Sequence, residues 1–491
     1  MSTEAVRPAK HPAATVDVEE AAIAETVAAG RVRGRQAEPE RLLLVSPLRA
    51  IVRLAAPTTL VMLIAATSNV LYTYFVSRLG ADAIAAVSLI FPISLLALTA
   101  MAGGLGAGAA SAVARALGAG RRLNAQAVAE HALSLSAALG VAFGLAILVG
   151  APALFTLMGG KGAVLELAVP FARVVFGGAA ITFVGAMFDS ILRGEGNVRV
   201  PAVWSSASLI LQIVLTPLFM FVVGWGLIGA ALAMLTSQLL ATIPRAFYVF
   251  GGYGALRPAV LPRRIELAPL AEILRVGVPA SLSTIANNVG MMVLTGIMAR
   301  LGDAHLAAYG LGTRLDFLLL SFAYGFGAAA LTLVGMATGA RRLDRVAAYV
   351  TRTGVLVVSL LALPAALLCW RPTLWLRLFT ADAGIVTVGT QYFRIIGPSY
   401  PFMGLSMVVA FALQGLGRAT APLVWMVLRV AGVLSVSLLC TQWLGFGDRA
   451  VFLTVATANV LSTAVMVALF IRAERALRPM RGEHAPSTVS H

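Results

Sequence analysis

Residues 300–311 read RLGDAHLAAYGL, and residues 78–89 read RLGADAIAAVSL, which is closely similar text 222 positions earlier. The agreement extends upstream to Pro57 and Pro279, which have the same separation. Downstream, LRGEGNVRVPAV at 192–203 matches LQGLGRATAPLV at 413–424 with a separation of 221 positions. Solenoid modules repeat every 20–50 residues or so, which is at most about one-quarter of the separation of 222 positions found here. The chain therefore reads as two homologous halves, an internal symmetry that is common in membrane transporters.

Composition assigns the chain to the membrane independently of any motif. The 491 residues are 59% hydrophobic and only 12% charged, with a mean hydropathy of +0.90. That is too few charges to cover the surface of a soluble protein of this size. The net charge of +16 does not indicate nucleic-acid binding, because the basic residues are spread through short connections and form no patch with interleaved aromatic residues.

Apolar runs long enough to cross the hydrocarbon core, about 20 residues, divide equally between the two repeats. They lie near 52–76, 84–110, 130–156, 166–189, 201–224, 227–250, 271–298, 305–332, 347–370, 385–411, 421–443 and 450–472. Six crossings return a chain to the side on which it began, so the halves have the same orientation. The sequence predicts an all-α integral membrane protein with twelve transmembrane helices in two pseudo-symmetric six-helix lobes.

The connections predict the topology and the domain limits. Arginine is concentrated in the two tails and in the even-numbered connections, which places both termini in the cytoplasm of a protein of the plasma (inner) membrane. We expect a disordered cytoplasmic tail at 1–45, an N-terminal lobe at 46–250, a Gly- and Pro-rich linker at 251–270, a C-terminal lobe at 271–474 and a second tail at 475–491. Residues 1–40 contain no apolar segment of the kind found in signal peptides.

The sequence lacks the residue patterns that several kinds of chemistry require. The glycine-rich runs at 103–120 and 325–340 have neither the lysine nor the strand context of a phosphate-binding loop, so ATP hydrolysis is not expected. Small residues at these spacings instead allow helices to approach closely. Cys369 and Cys440 lie in apolar segments without the spacing of metal ligands, and the five histidines are dispersed. We therefore expect no enzyme, no metal site and no cofactor, and we expect a monomer.

The order of these motifs resembles the multidrug and toxic compound extrusion (MATE) family of the MOP flippase superfamily. The residues that carry the resemblance are Pro57, FVSRLG at 75–80, ARALGAGRR at 114–122, LRGEGN at 192–197 and the long stretch 300–342. The resemblance covers roughly residues 45–475. It implies two six-helix lobes around a cavity, and efflux of small organic, often cationic, compounds driven by inward flow of protons or sodium.

The chain departs from this family pattern at the acidic positions. Tyr72 stands where many members have a first-helix aspartate, Gln212 and Thr216 replace an asparagine and an aspartate in the fifth helix, and Asn287 falls near an acidic position of the seventh. These side chains can form hydrogen bonds in a cavity, but none carries negative charge near neutral pH. We expect Tyr72, Gln212, Thr216 and Asn287 to line a substrate cavity together with Met291 and Arg314.

Asp316 is the main candidate for ion coupling. It lies about twelve residues into the eighth predicted helix, roughly 18 Å deep and thus near the middle of the bilayer. An ionisable residue at that depth is a functional hypothesis by default. It could carry a proton and attract a cationic substrate while ionised. The alternative is a fixed ion pair, either with Arg314, which points elsewhere on the same helix, or with an arginine from another helix.

Asp189 is the second candidate, at the end of the fourth helix. Its spacing to Arg193 favours a structural ion pair at the helix end. Arg173 and Arg394, which are related by the repeat, are expected to extend toward the membrane interface or to pair between helices. Together with these residues, the resemblance to the MATE family implies a secondary active exporter of organic, cationic or amphipathic compounds. The alternatives are a flippase for a lipid-linked precursor, with Arg314, Arg173 and Arg394 along the path of a pyrophosphate group, and a non-transporting membrane receptor.

Overall fold

The computed structural model describes residues 42–262, 264–443 and 447–477. The outer parts of the two predicted tails, 1–41 and 478–491, lie outside the described residues. The first half of the chain forms α1 (Pro47–Ser77), α2 (Ala81–Gly118), α3 (Arg122–Leu157), α4 (Gly162–Gly177 and Ala179–Gly194), α5 (Arg199–Val222) and α6 (Gly226–Phe250). The second half forms α7 (Leu267–Leu301), α8 (Asp303–Gly339), α9 (Leu343–Trp370), α10 (Ala383–Gly415), α11 (Thr420–Gln442) and α12 (Asp448–Arg475).

In the described part of the chain, eleven of these helices are long and apolar enough to cross a membrane. The two segments of α4 meet at an angle of 44° and make a twelfth crossing if they count as one span. The prediction of an all-helical membrane protein is therefore confirmed. We call α1–α6 the N-terminal lobe and α7–α12 the C-terminal lobe. The side on which α1 begins and α12 ends is called the termini side, and the opposite side the far side.

The repeated motifs mark equivalent turns in the two lobes. Gly80 and Gly302, from the two RLG sequences, have φ angles of 107° and 125° and connect α1 to α2 and α7 to α8. Gly196 and Gly417 end the LRGEG and LQGLG motifs with φ angles of 85° and 77°. Residues with a Cβ atom rarely adopt these positive φ values, so glycine is retained at both copies of each turn. The sequence repeat is thus a repeat of chain reversals.

The lobes meet along a seam in the termini half of the helices, where backbones are in direct contact. Gly118 of α2 lies against the carbonyl oxygen of Met336 in α8, and Gly339 of α8 lies against the carbonyl oxygen of Arg115 in α2. A Cβ atom at either glycine would overlap that oxygen. The two contacts exchange under the repeat, because Gly118 corresponds to Gly339 and Arg115 to Met336. The seam therefore has the pseudo-two-fold symmetry of the lobes.

A second symmetric pair of contacts continues the seam toward the middle of the membrane. Gly104 of α2 faces Ser281 of α7, and its repeat mate Gly325 of α8 faces Thr59 of α1. Ser281 Oγ donates a hydrogen bond to the carbonyl of Ala100 at 2.8 Å. The stretch Thr99–Leu105 of α2 is π-helical, and such bulges often mark functional positions in helices. Small residues thus replace side-chain interdigitation at this interface.

On the termini side, two segments outside the twelve helices are also held to the lobes by packing or hydrogen bonds. Leu42 and Leu43, which the sequence places in the tail, are buried against the C-terminal lobe, where Tyr349 Oη donates to the Leu42 carbonyl at 3.3 Å. The connection between α6 and α7 is held to the N-terminal lobe through its backbone. Glu130 Oε1 accepts from the amide of Ala259 at 2.8 Å, and His131 Nε2 accepts from the amide of Glu266 at 2.9 Å.

We expect Gly118→Ala and Gly339→Ala to open the seam. Each adds a methyl group where a carbonyl oxygen already lies, and overpacking of this kind costs about 1–3 kcal/mol. The population with separated termini-side ends should then rise roughly tenfold, since about 1.4 kcal/mol corresponds to that factor. Spin labels at Leu123→Cys and Asp344→Cys, in a Cys369→Ser/Cys440→Ser background, report the distance by electron paramagnetic resonance. Gly310→Ala is the control, because a Cβ atom there meets nothing within 4 Å. An unchanged distance distribution in both seam variants would contradict this account.

Candidate transport site

A small cavity of about 20 Å³ lies between the lobes on the far side of the seam. Its walls come from α2, α8 and α10, and the end of α4 contributes Arg193. Tyr324 of α8 and Phe411 of α10 meet edge to face there, with ring centroids 5.3 Å apart. The Thr332 hydroxyl donates to the carbonyl of Arg193 at 3.1 Å and so joins the two lobes at this level. Among the described residues, the hydrogen bonds between the lobes extend from the Asn288–Thr99 contact near the middle of α7 and α2 to the termini side.

Toward the far side of the cavity one face of α8 continues with exposed residues, and we call the space beside this face the cleft. Tyr324 lines the cavity, and Phe317, seven residues earlier, lies on the same face of the helix. Arg314 lies one turn before Phe317 and, at a spacing of eleven residues, on the side of α8 that presents Gly325 to α1. Phe317 is 49% exposed and Arg314 is exposed. The cleft wall on α8 is thus aromatic and positively charged.

Asp316 points away from the cleft, into the C-terminal lobe. Tyr392 of α10 donates its hydroxyl to Asp316 Oδ2 at 2.7 Å. Oδ1 is buried without a hydrogen-bond partner, and the Tyr400 hydroxyl lies beside the carboxyl group. Two residues correspond to about 200° around a helix, so Arg314 and Asp316 face opposite directions. In the described chain Asp316 forms no ion pair with any arginine, so neither predicted ion-pair partner is observed.

Asp189 forms an ion pair, but with a different partner from the one predicted. Arg245 of α6 places Nε 3.2 Å from Asp189 Oδ1, and the Arg245 side chain is only 2% exposed. Ser205 of α5 donates to Asp189 Oδ2 at 3.0 Å and accepts from Arg245 Nη2 at 3.0 Å. The expected partner, Arg193, instead donates to Ser190 at 3.1 Å. The charges of Asp189 and Arg245 therefore offset each other inside the N-terminal lobe.

A third charged group lies inside the C-terminal lobe and was missed by sequence reasoning. Arg429, near the middle of α11, donates from Nη2 to Asn459 Oδ1 at 2.6 Å, and its Nε is buried without a partner. Asn459 in turn donates to Ser399 Oγ at 2.9 Å. An arginine in the middle of an apolar run is a visible signal of function or pairing, and the same signal was present for Arg245.

The remaining predicted cavity residues lie on three helices, α1, α5 and α7. Tyr72 is partly buried against the core of the N-terminal lobe, and Thr216 is fully buried, with its hydroxyl bonded to the carbonyl of Gln212 at 2.7 Å. Asn287 is exposed on α7 and Met291 is half-buried. The neighbouring Asn288 reaches across the lobes, with Nδ2 3.5 Å from Thr99 Oγ1. The described part of the chain contains no group of three or more histidine, cysteine or acidic side chains that could hold a metal ion.

Known proteins resemble this chain in both sequence and fold. A family model described as MatE matches residues 57–218 and 279–441, one block in each lobe. A FAD transporter of Shewanella oneidensis is 26% identical over 359 residues, which is 72% of this chain and 78% of that protein. The multidrug export protein MepA of Staphylococcus aureus is 24% identical over 433 residues, which is 86% of this chain and 94% of that protein.

The solved structures that resemble this chain agree in fold over nearly its whole length. A multidrug resistance MATE family transporter of the MOP superfamily, in an outward-facing conformation, superposes with a TM-score of 0.84. Its sequence is 28% identical, and the match covers 90% of this chain and 99% of that chain.

We expect Asp189→Asn to destabilise the protein strongly. The asparagine keeps a hydrogen bond to Ser205 but leaves the Arg245 guanidinium buried without a compensating charge, which typically costs roughly 3–5 kcal/mol. Replacing both partners, Asp189→Leu with Arg245→Met, should restore much of the loss. Thermal unfolding in detergent measures both effects. Asp448→Asn is the control, because its partner His305 is 3.8 Å away and more exposed. A stable Asp189→Asn protein that has lost ion-driven transport would instead assign Asp189 to ion coupling.

Proposed function

The chain belongs to the MatE family of MOP superfamily transporters, and we propose that it exports amphipathic organic compounds by alternating access between its two lobes. The family consists of transporters, so the prediction that the chain is not an enzyme is confirmed. The observation that carries the proposal is the asymmetry of the lobe interface. The termini-side half is sealed by backbone contacts, while the one described hydrogen bond between lobes on the far side of the cavity is the 3.5 Å contact from Asn288 to Thr99, near the middle of the helices.

The direction of transport follows from the orientation proposed for the chain. The arginine-rich connections lie on the termini side, which we assign to the cytoplasm of a plasma-membrane protein. The cleft then opens to the outside, and the seam is the closed cytoplasmic gate. The similarity to an outward-facing transporter supports this assignment. Relatives named for FAD transport and for multidrug export support organic solutes as the substrate class.

Proton coupling is assigned to Asp316. Asp316 lies in the C-terminal lobe without an ion pair to any described arginine, and its carboxyl group is bonded to Tyr392 on a neighbouring helix. The sequence suggested that ionised Asp316 attracts a cationic substrate. Because Asp316 faces the lobe core, we do not include that role in the proposal. Protonation would change the hydrogen bond between α8 and α10. The same helix α8 carries Gly325 and Gly339, so a shift of α8 reaches the seam.

We expect Asp316→Asn to uncouple transport from the proton gradient. Asparagine preserves the volume and can still accept from Tyr392, but it cannot bind and release a proton. In proteoliposomes with an internal pH dye, substrate-driven proton movement should fall at least tenfold. Tyr392→Phe should reduce coupling less, because the carboxyl group remains. Asp382→Asn is the matched control, since Asp382 is exposed and caps α10 through a side-chain oxygen that asparagine also has.

Two results would contradict this assignment. Transport that follows a sodium gradient and ignores the pH gradient would replace the proton with sodium as the coupling ion. Transport by Asp316→Asn with unchanged proton movement would move the coupling site elsewhere.

A further inference from the structure

The charge of the cleft differs from that of a cation-binding site. Arg314 is exposed on the cleft wall of α8 and forms no ion pair or hydrogen bond with any residue that the structure describes. Two acidic residues on the inner faces of the described helices, Asp316 and Asp189, have their partners elsewhere. Asp316 bonds to Tyr392 in the lobe core, and Asp189 pairs with Arg245 in the other lobe. The wall therefore keeps an uncompensated positive charge.

Arginine at this position has a clear chemical preference. A charged side chain within a membrane span is costly, and such residues mark the paths of substrates when they face a water-filled cavity. The guanidinium group is planar and always protonated, and it binds carboxylate, sulfonate or phosphate oxygens through two parallel hydrogen bonds. A cationic compound would meet repulsion at the same place. The cleft thus favours anions on electrostatic grounds.

The neighbouring side chains add a preference for rings. Phe317 lies one turn from Arg314 on the same wall and is 49% exposed, so its ring is available to a ligand. Deeper in the cleft, the edge-to-face pair of Tyr324 and Phe411 lines the cavity, with Arg193 beside it. Aromatic side chains stack on or pack edge to face against planar ligands. The wall presents charge near the opening and aromatic surface below it.

We propose that the cleft binds aromatic organic anions, with Arg314 contacting the acidic group and Phe317, Tyr324 and Phe411 contacting the ring system. The inference rests on the proposed transport function and specifies its substrate class. It also gives Arg314 a role separate from Asp316, because the two side chains lie on opposite faces of α8. Arg314 selects for the charge of the substrate in the cleft, whereas Asp316 binds the coupling proton in the lobe core.

The test uses two dyes that share a xanthene ring system but differ in net charge. Purified protein in phosphatidylcholine nanodiscs is titrated with anionic sulforhodamine B and with cationic rhodamine 6G, and binding is followed by fluorescence anisotropy. We expect the anion to bind more tightly. Arg314→Gln should weaken its binding at least tenfold, while Arg314→Lys should retain part of it. Arg371→Gln is the matched control, an exposed arginine that stacks on Trp370 outside the α8 wall.

Tighter binding of the cation, binding of neither dye, or an Arg314→Gln variant with unchanged affinity for the anion would overturn the inference. Because binding is measured without an ion gradient, this failure is distinct from failure of proton-coupled transport. Nanodiscs of phosphatidylglycerol separate two sources of the acidic group. Equal dye affinity in both lipids assigns the site to soluble aromatic anions. Displacement of the dye by phosphatidylglycerol would assign Arg314 to a lipid headgroup and overturn the aromatic part of the proposal.

Discussion

Backbone contact between the lobes is the constraint on which the rest of the structure depends. Without water between helices, apolar side chains gain little by leaving lipid for a protein interface, so helix association relies on close packing and on hydrogen bonds. Because Gly118 and Gly339 have no side chain, each packs directly against a backbone carbonyl oxygen of the other lobe. Gly104 and Gly325 likewise allow close helix contacts nearer the membrane centre. Because each contact has a symmetric copy, the two lobes meet through equivalent surfaces that carry glycine at the same positions of the repeat. A seam made this way is closed or open with few intermediate packings, which suits a gate.

The sequence was sufficient to predict the membrane-spanning helices and the repeated turns but not the seam. Spans follow from the length of apolar runs, and the repeat follows from turns such as Gly80 and Gly302, where positive φ angles favour the same residue twice. The glycine-rich runs were correctly interpreted as helix-packing surfaces. Which helix they contact is a long-range property, however, and nothing in the local pattern of α2 specifies α8 rather than a neighbour in its own lobe. The placement of Leu42 against the C-terminal lobe was missed for the same reason.

The predicted site was built on charged side chains. The residues with which these side chains pair were harder to predict from the sequence than any other feature of the site. Asp189 has Arg193 four residues away, a spacing that favours pairing on an isolated helix, yet it pairs with Arg245 from α6. In a lobe interior the cost of desolvation selects the arrangement that satisfies most donors, and Ser205 completes that arrangement from a third helix. Arg173 gives a similar lesson. Its Nε donates to the carbonyl of Leu148, which lacks its helical partner because Pro152 has no amide hydrogen. Of the two expectations for this arginine, extension to the interface or pairing between helices, the structure shows the second, at the carbonyl that a proline leaves without a donor.

Helix α8 unites these features because a helix presents different residues to different surroundings at fixed angles. One face carries Arg314, Phe317 and Tyr324 toward the cleft, and the opposite side carries Asp316 toward Tyr392. The termini-side end of the same helix carries Gly339 into the seam. A rigid helix cannot change its packing against α10 without changing the position of its other contacts, since they are parts of one body. Coupling between ion, substrate and gate therefore needs no chain of intermediate side chains across the protein. It requires only that α8 has two stable positions, and that the proton and the substrate favour different ones.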